Sequence, residues 1–183
     1  MRRRRYLSAV GAVAVGGLAG CAGSAPVADD TDGSEETADS DEPIDWPSGP
    51  YADYEATRVT VEDGESGATL GTVRAAVANT SNKRTLGLSD ALSLPENAGM
   101  LFVYDSPRES LTYIMPDMSF GIDIVYVDSD REIVRIHHAS EPGPNEDGSE
   151  QQYPGSGQYV LEVPYEWTDR NGVGVGDSLA FEL

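Results

Sequence analysis

Two apolar runs in the middle of the chain, at residues 100–104 and 122–127, place the strongest constraint on its fold. Side chains alternate between the two faces of a strand, so each run would present apolar groups on both faces. Only Asp123 interrupts this pattern in the second run. A strand without a polar face is covered on both sides, and we therefore predict that both runs are central strands.

The segments around these runs predict a mainly β domain. Alternating patterns predict further strands at 57–62, 69–79, 132–138, 159–163 and 178–183, with turns at 63–64 and 128–130. A third apolar run lies at 111–115, and a bulge or a strand end is expected at Pro116, which cannot donate a ladder hydrogen bond. Thr80 can cap a short helix that ends at Leu88 or Leu92, and 164–172 predicts a second helix or a turn.

The Pro-, Gly- and charge-rich stretch at 140–157 predicts a long loop. Together these patterns favour a compact barrel or sandwich of about seven or eight short strands with one or two short helices.

The first 21 residues are expected to form a lipoprotein signal peptide. Arg3-Arg4-Arg5-Tyr6-Leu7 resembles the twin-arginine export motif, and Leu18-Ala19-Gly20-Cys21 resembles a lipobox. The apolar run between them is too short for a comfortable membrane span. We predict that lipid on Cys21 anchors the chain to the outer face of the cytoplasmic membrane, and the alternative is a signal anchor with an incidental cysteine. Cys21 is the only cysteine, which excludes an intramolecular disulfide.

Residues 22–50 are rich in Ser, Gly, Ala, Thr, Asp and Glu, and they predict a disordered acidic tether before one β-rich domain at 51–183. The chain has 32 acidic and 12 basic residues, and four of the basic residues lie at positions 2–5. Such a surface repels a phosphate backbone, so we expect no nucleic-acid partner. The acidic composition resembles that of proteins from salt-loving archaea.

Several blocks, in this order and spacing, resemble the domain of unknown function 192 family. They are Arg84 with Gly87-Leu88, Gly99-Met100-Leu101-Phe102-Val103, Met115 with Asp117-Met118, Ile122-Asp123-Ile124, Tyr159-Val160-Leu161-Glu162-Val163, and Gly176-Asp177. The resemblance implies a compact, mostly β domain that is often exported, and it implies no established reaction. The chain departs from the family at Ile114-Met115-Pro116-Asp117, where many members have Trp-Met-Lys-Asn. It also departs at Gly121, where Pro is usual, and at Ser89, where Met is frequent.

Candidate site residues are few. Asp123 shares a strand face with Val125 and Val127, so it is either a structural carboxylate that fixes a loop or a site residue with Arg84 as partner. His137 and His138 are neighbours on a strand, point to opposite sides and are poor joint ligands for one metal. Met100, Met115 and Met118, with one histidine, could offer soft ligands to Cu(I), or the methionines could simply fill core gaps. Copper handling requires Met115 or Met118 beside a histidine.

We therefore expect a non-enzymatic binding or accessory domain of the cell envelope, with a small molecule, a metal ion or an envelope protein as ligand. The candidate ligand-binding residues are Arg84, Met115, Asp117, Asp123 and His137, and the candidate metal ligands are Met115, Met118 and His137. One alternative is copper handling. Another is a hydrolase that uses Asp123 with Ser89 or a histidine, although Gly87-Leu88-Ser89-Asp90 is not a nucleophile elbow. The sequence indicates no cofactor and no catalytic residue.

Overall fold

A computed structural model describes residues 44–183 of the chain. The predicted signal peptide, the predicted lipidation site at Cys21 and the tether up to residue 43 lie outside the described residues. No helix in the described range is long and apolar enough to cross a membrane.

The described chain forms one seven-stranded sheet with two short α-helices and a 3₁₀ turn at Gly49–Tyr51. The strands are β1 (Ala56–Glu62), β2 (Thr69–Ala78), β3 (Ala98–Tyr113), β4 (Ile122–Val127), β5 (Ile133–Ala139), β6 (Tyr153–Pro164) and β7 (Ser178–Ala180). Their order across the sheet is β5-β4-β6-β3-β2-β1-β7. The helices are α1 (Ser81–Leu86) and α2 (Trp167–Asn171). All paired strands are antiparallel except β2 and β3, whose parallel pairing needs the crossover that contains α1.

The sheet curls into a half-barrel, which confirms the predicted mainly β class. Both apolar runs lie in strands that are paired on two sides, and all six residues of β4 are buried. The two edge strands meet at one end, where Glu132 bridges Ser178 and the Ile133 N–H donates to the Asp177 carbonyl at 2.7 Å.

Two strands are longer than their sequence patterns predicted. The run at 111–115 is not separate, because β3 continues to Tyr113 through two register shifts against β6. Strand β6 begins at Tyr153, so the predicted loop at 140–157 ends at residue 152. Its first residues look loop-like because Gly155 must be small: a Cβ there would lie 2.6 Å from the Tyr126 ring. The bulged partner strand supplies the pairing that local propensity did not predict.

Apolar side chains cover both faces of the sheet in two clusters. One face packs around Val59, Leu101, Val125 and Leu161 beneath Trp167 of α2. The other face, called the pocket face below, carries the cluster that contains Met100, Phe102, Ile124, Tyr126, Val160 and Met115. Its cover includes the segment that precedes β1.

The ordered domain begins before residue 51. Trp46 is buried, its indole N–H donates to the Gly99 carbonyl at 2.7 Å, and its own carbonyl accepts from the Arg74 guanidinium at 2.5 Å. Residues 44–50, which the composition assigned to the end of the tether, therefore contact the sheet. A large aromatic side chain next to the tether was the signal for this docking.

Candidate functional site

A pocket of about 190 Å³ opens on the pocket face, between α1 and the loop at 114–121. Three chain segments and two strand residues form its walls. They are residues 84–89 of α1 and the following turn, residues 102, 104 and 111–113 of β3, residues 114–116 and 118 of the loop, Ile122 and Glu162. The two register shifts of β3 bend the strand so that Phe102 and Tyr113 meet edge to face, with ring centroids 5.0 Å apart.

Glu162 is the acidic residue of this pocket. It lies near the C-terminal end of β6, where its register partners are Met100 of β3 and Ile124 of β4, and the residue is 5% exposed. Within the described residues its carboxyl group makes no hydrogen bond or ion pair to protein, and burial raises its pKa to about 8. At neutral pH the group is therefore mainly an uncharged acid, which carries one O–H donor and can still accept.

Arg84 is the basic residue of the pocket. It lies on α1, whose N-terminus is capped by the Thr80 side chain and which ends at Gly87 with a φ of 52°. One guanidinium nitrogen, Nη1, donates to the Val103 carbonyl at 2.8 Å, and the group lies 4.9 Å from the centre of the Tyr104 ring. No carboxylate of the described residues pairs with it. A hydrogen bond and a cation–π contact hold the arginine in place and leave its other nitrogens without a protein acceptor.

The two loop methionines, Met115 and Met118, lie together in the pocket wall. A turn brings them to one side, since the Met118 N–H donates to the Met115 carbonyl at 3.4 Å. The loop after β5 supports this wall, because the Met115 N–H donates to the Gly148 carbonyl at 3.2 Å. Gly148 has a φ of 78°, and a Cβ there would lie 1.9 Å from the Met115 carbonyl oxygen. Only glycine fits this close approach without movement of the backbone.

Asp123 belongs to a different site, on the opposite face of the sheet. Its Oδ1 accepts from the Glu166 N–H at 2.9 Å and from His138 Nδ1 at 2.8 Å, and its Oδ2 accepts from the Thr168 N–H at 2.9 Å and the Thr168 hydroxyl at 2.6 Å. The carboxylate is fully buried and has four donors, which is how a buried charge is tolerated. The hydrogen bond from Asp123 raises the pKa of His138, against the opposing effect of partial burial.

The structure brings only some of the predicted site residues together. Arg84, Met115 and Met118 line the pocket, whereas Asp117, Asp123 and His137 do not. Asp117 has a positive φ of 58° in the loop, and its N–H donates to the Asp147 carbonyl. His137 packs between the rings of Tyr126 and Tyr153, with Nε2 2.8 Å from the Pro154 carbonyl oxygen. In the range 44–183 no three His, Cys, Asp or Glu side chains converge as metal ligands.

Sequence reasoning missed Glu162 as a site residue. The signal was present, because Glu162 is the only charged residue within the apolar run 159–163. A charged group in a strand that carries apolar residues on both faces must be buried. A buried acid requires a partner or a change of protonation state.

The chain belongs to the domain of unknown function 192 family, described as "Uncharacterized ACR", whose sequence profile matches residues 61–181. This confirms the resemblance found in the sequence. No curated protein matches the chain.

Two solved structures share the fold. A candidate transcription regulator from Sinorhizobium meliloti 1021 is 27% identical with a TM-score of 0.63, over 70% of this chain and 95% of that one. A protein of unknown function from Novosphingobium aromaticivorans DSM 12444 is 27% identical with a TM-score of 0.62, over 72% of this chain and 89% of that one. The family and these neighbours define a fold without an assigned reaction.

Proposed function

We propose that the protein is a non-enzymatic binding module of the cell envelope, which holds a small molecule in the pocket between α1 and the 114–121 loop. The observation that supports this most strongly is the Glu162 carboxyl group, 5% exposed and without a protein partner in the described structure. No side-chain N or O atom of the described residues is both sealed from solvent and unpaired, so the Glu162 oxygens reach the pocket space, where a ligand can bind them. A concave apolar site with a few polar groups is the usual form of a small-molecule site.

The hydrolase alternative requires Asp123 to meet Arg84 and either Ser89 or a histidine in one cleft. Asp123 contacts His138, whereas Arg84 and Ser89 line the pocket on the other face of the sheet. Both Asp123 oxygens already accept hydrogen bonds that hold the turn before α2. This separation favours binding over hydrolysis.

Copper handling is the second candidate function, because two methionines and a carboxyl group line the same pocket. Thioether sulfur is a soft ligand that selects Cu(I). The required histidine is missing from the pocket wall, since His137 and His138 contact other groups. This candidate therefore depends on sulfur ligation by Met115 and Met118 alone.

The proposed location rests on the N-terminal sequence. Lipid on Cys21 would hold the domain at the outer face of the cytoplasmic membrane after twin-arginine export. We expect Cys21→Ser to release the exported protein from the membrane fraction into the medium, and joint Arg3→Lys and Arg4→Lys substitution to block export. Membrane retention of Cys21→Ser would overturn lipid anchoring.

The neighbour described as a candidate transcription regulator does not lead us to propose nucleic-acid binding here. Residues 44–183 carry 24 acidic and eight basic side chains, and such a surface repels phosphate.

A thermal-shift screen of the full chain in high salt tests the proposal. The probes are neutral fragments such as phenol and benzyl alcohol, amino acids, simple amines and carboxylates, and Cu(I), Cu(II), Zn(II) and Ca(II). A bound probe at a hundred times its Kd stabilises the native state by about 2.7 kcal/mol. No saturable shift with any probe would overturn the proposal.

Two variants of similar volume locate the binding site. Met115→Leu removes a sulfur from the pocket wall, whereas Met100→Leu removes one from the same buried cluster outside the pocket wall. We expect the first substitution to weaken binding and the second to leave it unchanged. A Cu(I)-specific shift that Met115→Leu and Met118→Leu abolish would instead establish copper handling.

A further inference from the structure

The pocket contains one acidic and one basic side chain that do not pair with each other. Neither residue forms an ion pair among the described residues, and Arg84 donates to the Val103 main-chain carbonyl instead of a carboxylate. Both residues line the same pocket, where no ion pair joins them.

We propose that the pocket selects a small zwitterion, whose ammonium group binds Glu162 and whose anionic group binds Arg84. This inference rests on the proposed function, because it names the ligand class of the same pocket. It differs from binding of a neutral fragment or of a metal, neither of which needs both charged residues.

The walls beside Glu162 suit an ammonium group. Phe102 and Tyr113 present aromatic rings to the pocket, and Met115 and Met118 present polarizable thioethers. The Tyr104 and Tyr113 hydroxyls form a hydrogen bond of 3.1 Å with each other. An ammonium ion in this position would stabilise the charged form of the acid, so binding near neutral pH is expected to release a proton.

The Arg84 end suits an anionic group. Its Nη1 is used by the Val103 carbonyl and its plane is placed by the Tyr104 ring, so the guanidinium is already oriented. The nitrogens that remain without protein acceptors can form a two-pronged contact with a carboxylate. Preorganisation of this kind lowers the entropy lost on binding.

The volume of the pocket limits the size of the ligand. An engineered cavity of about 150 Å³ in another protein holds benzene. The pocket here is about 190 Å³. It therefore fits a molecule of about eight non-hydrogen atoms, which is the size of a small amino acid or a methylated amino acid.

Isothermal titration calorimetry of the full chain at pH 7 in high salt tests this inference. The zwitterionic probes are alanine, valine and trimethylglycine, and isobutylamine and 3-methylbutanoate each keep the valine skeleton with only one charge. We expect at least one zwitterion to bind at least about tenfold more tightly than either singly charged probe. Equal binding of the three valine-skeleton probes, or no binding of any zwitterion, would overturn the inference.

Two pairs of variants assign the charged contacts. Glu162→Gln and Arg84→Gln should each weaken zwitterion binding about tenfold or more. Glu109→Gln and Arg108→Gln are the controls: Glu109 is exposed, and Arg108 lies 5.6 Å from the same Tyr104 ring without lining the pocket. Heats measured in two buffers of different ionisation enthalpy should show proton release with the native chain and none with Glu162→Gln. Unchanged affinity in both pocket variants would overturn the assignment.

Neutral probes separate failure of this inference from failure of the proposed function. If phenol or benzyl alcohol binds and Met115→Leu weakens that binding, while no zwitterion binds, the pocket is a binding site with a different ligand class. If no probe of any class binds, both proposals are wrong.

Discussion

His138 donates a hydrogen bond of 2.8 Å from Nδ1 to the buried Asp123 carboxylate, its register partner across the β4–β5 ladder. The same carboxylate holds the start of α2 through Thr168 and the Glu166 N–H. One buried acid thereby joins an edge strand to the helix that covers the sheet. The His138 side chain is 38% exposed, so it can exchange protons with the solvent as the pH changes.

The first prediction concerns pH and His138. Its pKa in the native state is raised above the ordinary value of about 6.5, so the contribution of the charged pair is complete below that pH. The contribution is lost as the pH rises through the native pKa. We expect an NMR titration midpoint of His138 above 6.5, and a free energy of unfolding that declines above this pH.

Glu162 also titrates in this range, so the unfolding measurement belongs in a Glu162→Gln background. There, the further substitution His138→Gln should remove the decline above pH 6.5. A titration midpoint at or below 6.5 would contradict the prediction.

The second prediction concerns the buried acid of the pocket. The pKa of Glu162 rises from 4.5 to about 8 on folding, so the native state holds a proton that the unfolded chain releases between these values. The free energy of unfolding should therefore fall by roughly 1.4 kcal/mol per pH unit, at most, between about pH 4.5 and 8.

Glu162→Gln mimics the protonated acid and should lose this dependence. We expect the variant to match the native chain at pH 5 and to exceed its stability above pH 8, in denaturant titrations. Glu109→Gln, at an exposed position of β3, provides the matched control. Parallel stability curves for the native chain and Glu162→Gln between pH 5 and 8 would contradict the raised pKa of Glu162.

The third prediction concerns Asp123. Asp123→Asn keeps the shape of the side chain but turns an NH₂ group toward donors that surround both oxygens. We expect a loss of about 3 kcal/mol in the free energy of unfolding, because buried donors then face each other. Thr168→Val removes only one hydroxyl donor and should cost about 1 kcal/mol. An Asn variant within 1 kcal/mol of the native chain would argue against the structural role of this carboxylate.

The fourth prediction concerns the support of the pocket wall. Gly148→Ala would place a methyl group against the Met115 carbonyl in a backbone conformation that alanine rarely adopts. We expect a cost of about 2 kcal/mol and a loss of ligand affinity, as the 115–118 wall moves. Gly143→Ala, in the same loop, meets only the flexible end of Glu146 and should change stability by less than about 0.5 kcal/mol. Equal effects of the two substitutions would disprove this role for Gly148.

Local patterns in the sequence correctly predicted most of the sheet. The alternation of apolar residues identified β1, β2, β4 and β5 within one or two residues, and Thr80 marked the start of α1. The patterns failed at β3 beyond Tyr104 and at the start of β6, where the sequence is polar or rich in glycine. Those two segments are strands because they pair with each other, and cross-strand pairing is not a local property.

In the candidate site, too, local sequence features identified single residues, and tertiary packing decided which of them meet. Arg84 and the two loop methionines were identified from the family resemblance, but their convergence with Glu162 depends on where α1 and the 114–121 loop pack. The hydrolase alternative paired Asp123 with an unspecified histidine, and only the register of β4 against β5 makes His138 its partner.

The sequence by itself thus determined the class of the fold, the two central strands and the family, because alternation and turn residues act over a few positions of the chain. The tertiary structure decided which of the two buried acids has hydrogen-bond donors from the protein and which has none in the described chain. Asp123 faces the turn that begins α2 and finds four donors, whereas Glu162 faces a pocket and finds none in the described chain. The partners of a buried charge come from distant segments, so its state depends on packing rather than on its neighbours in sequence.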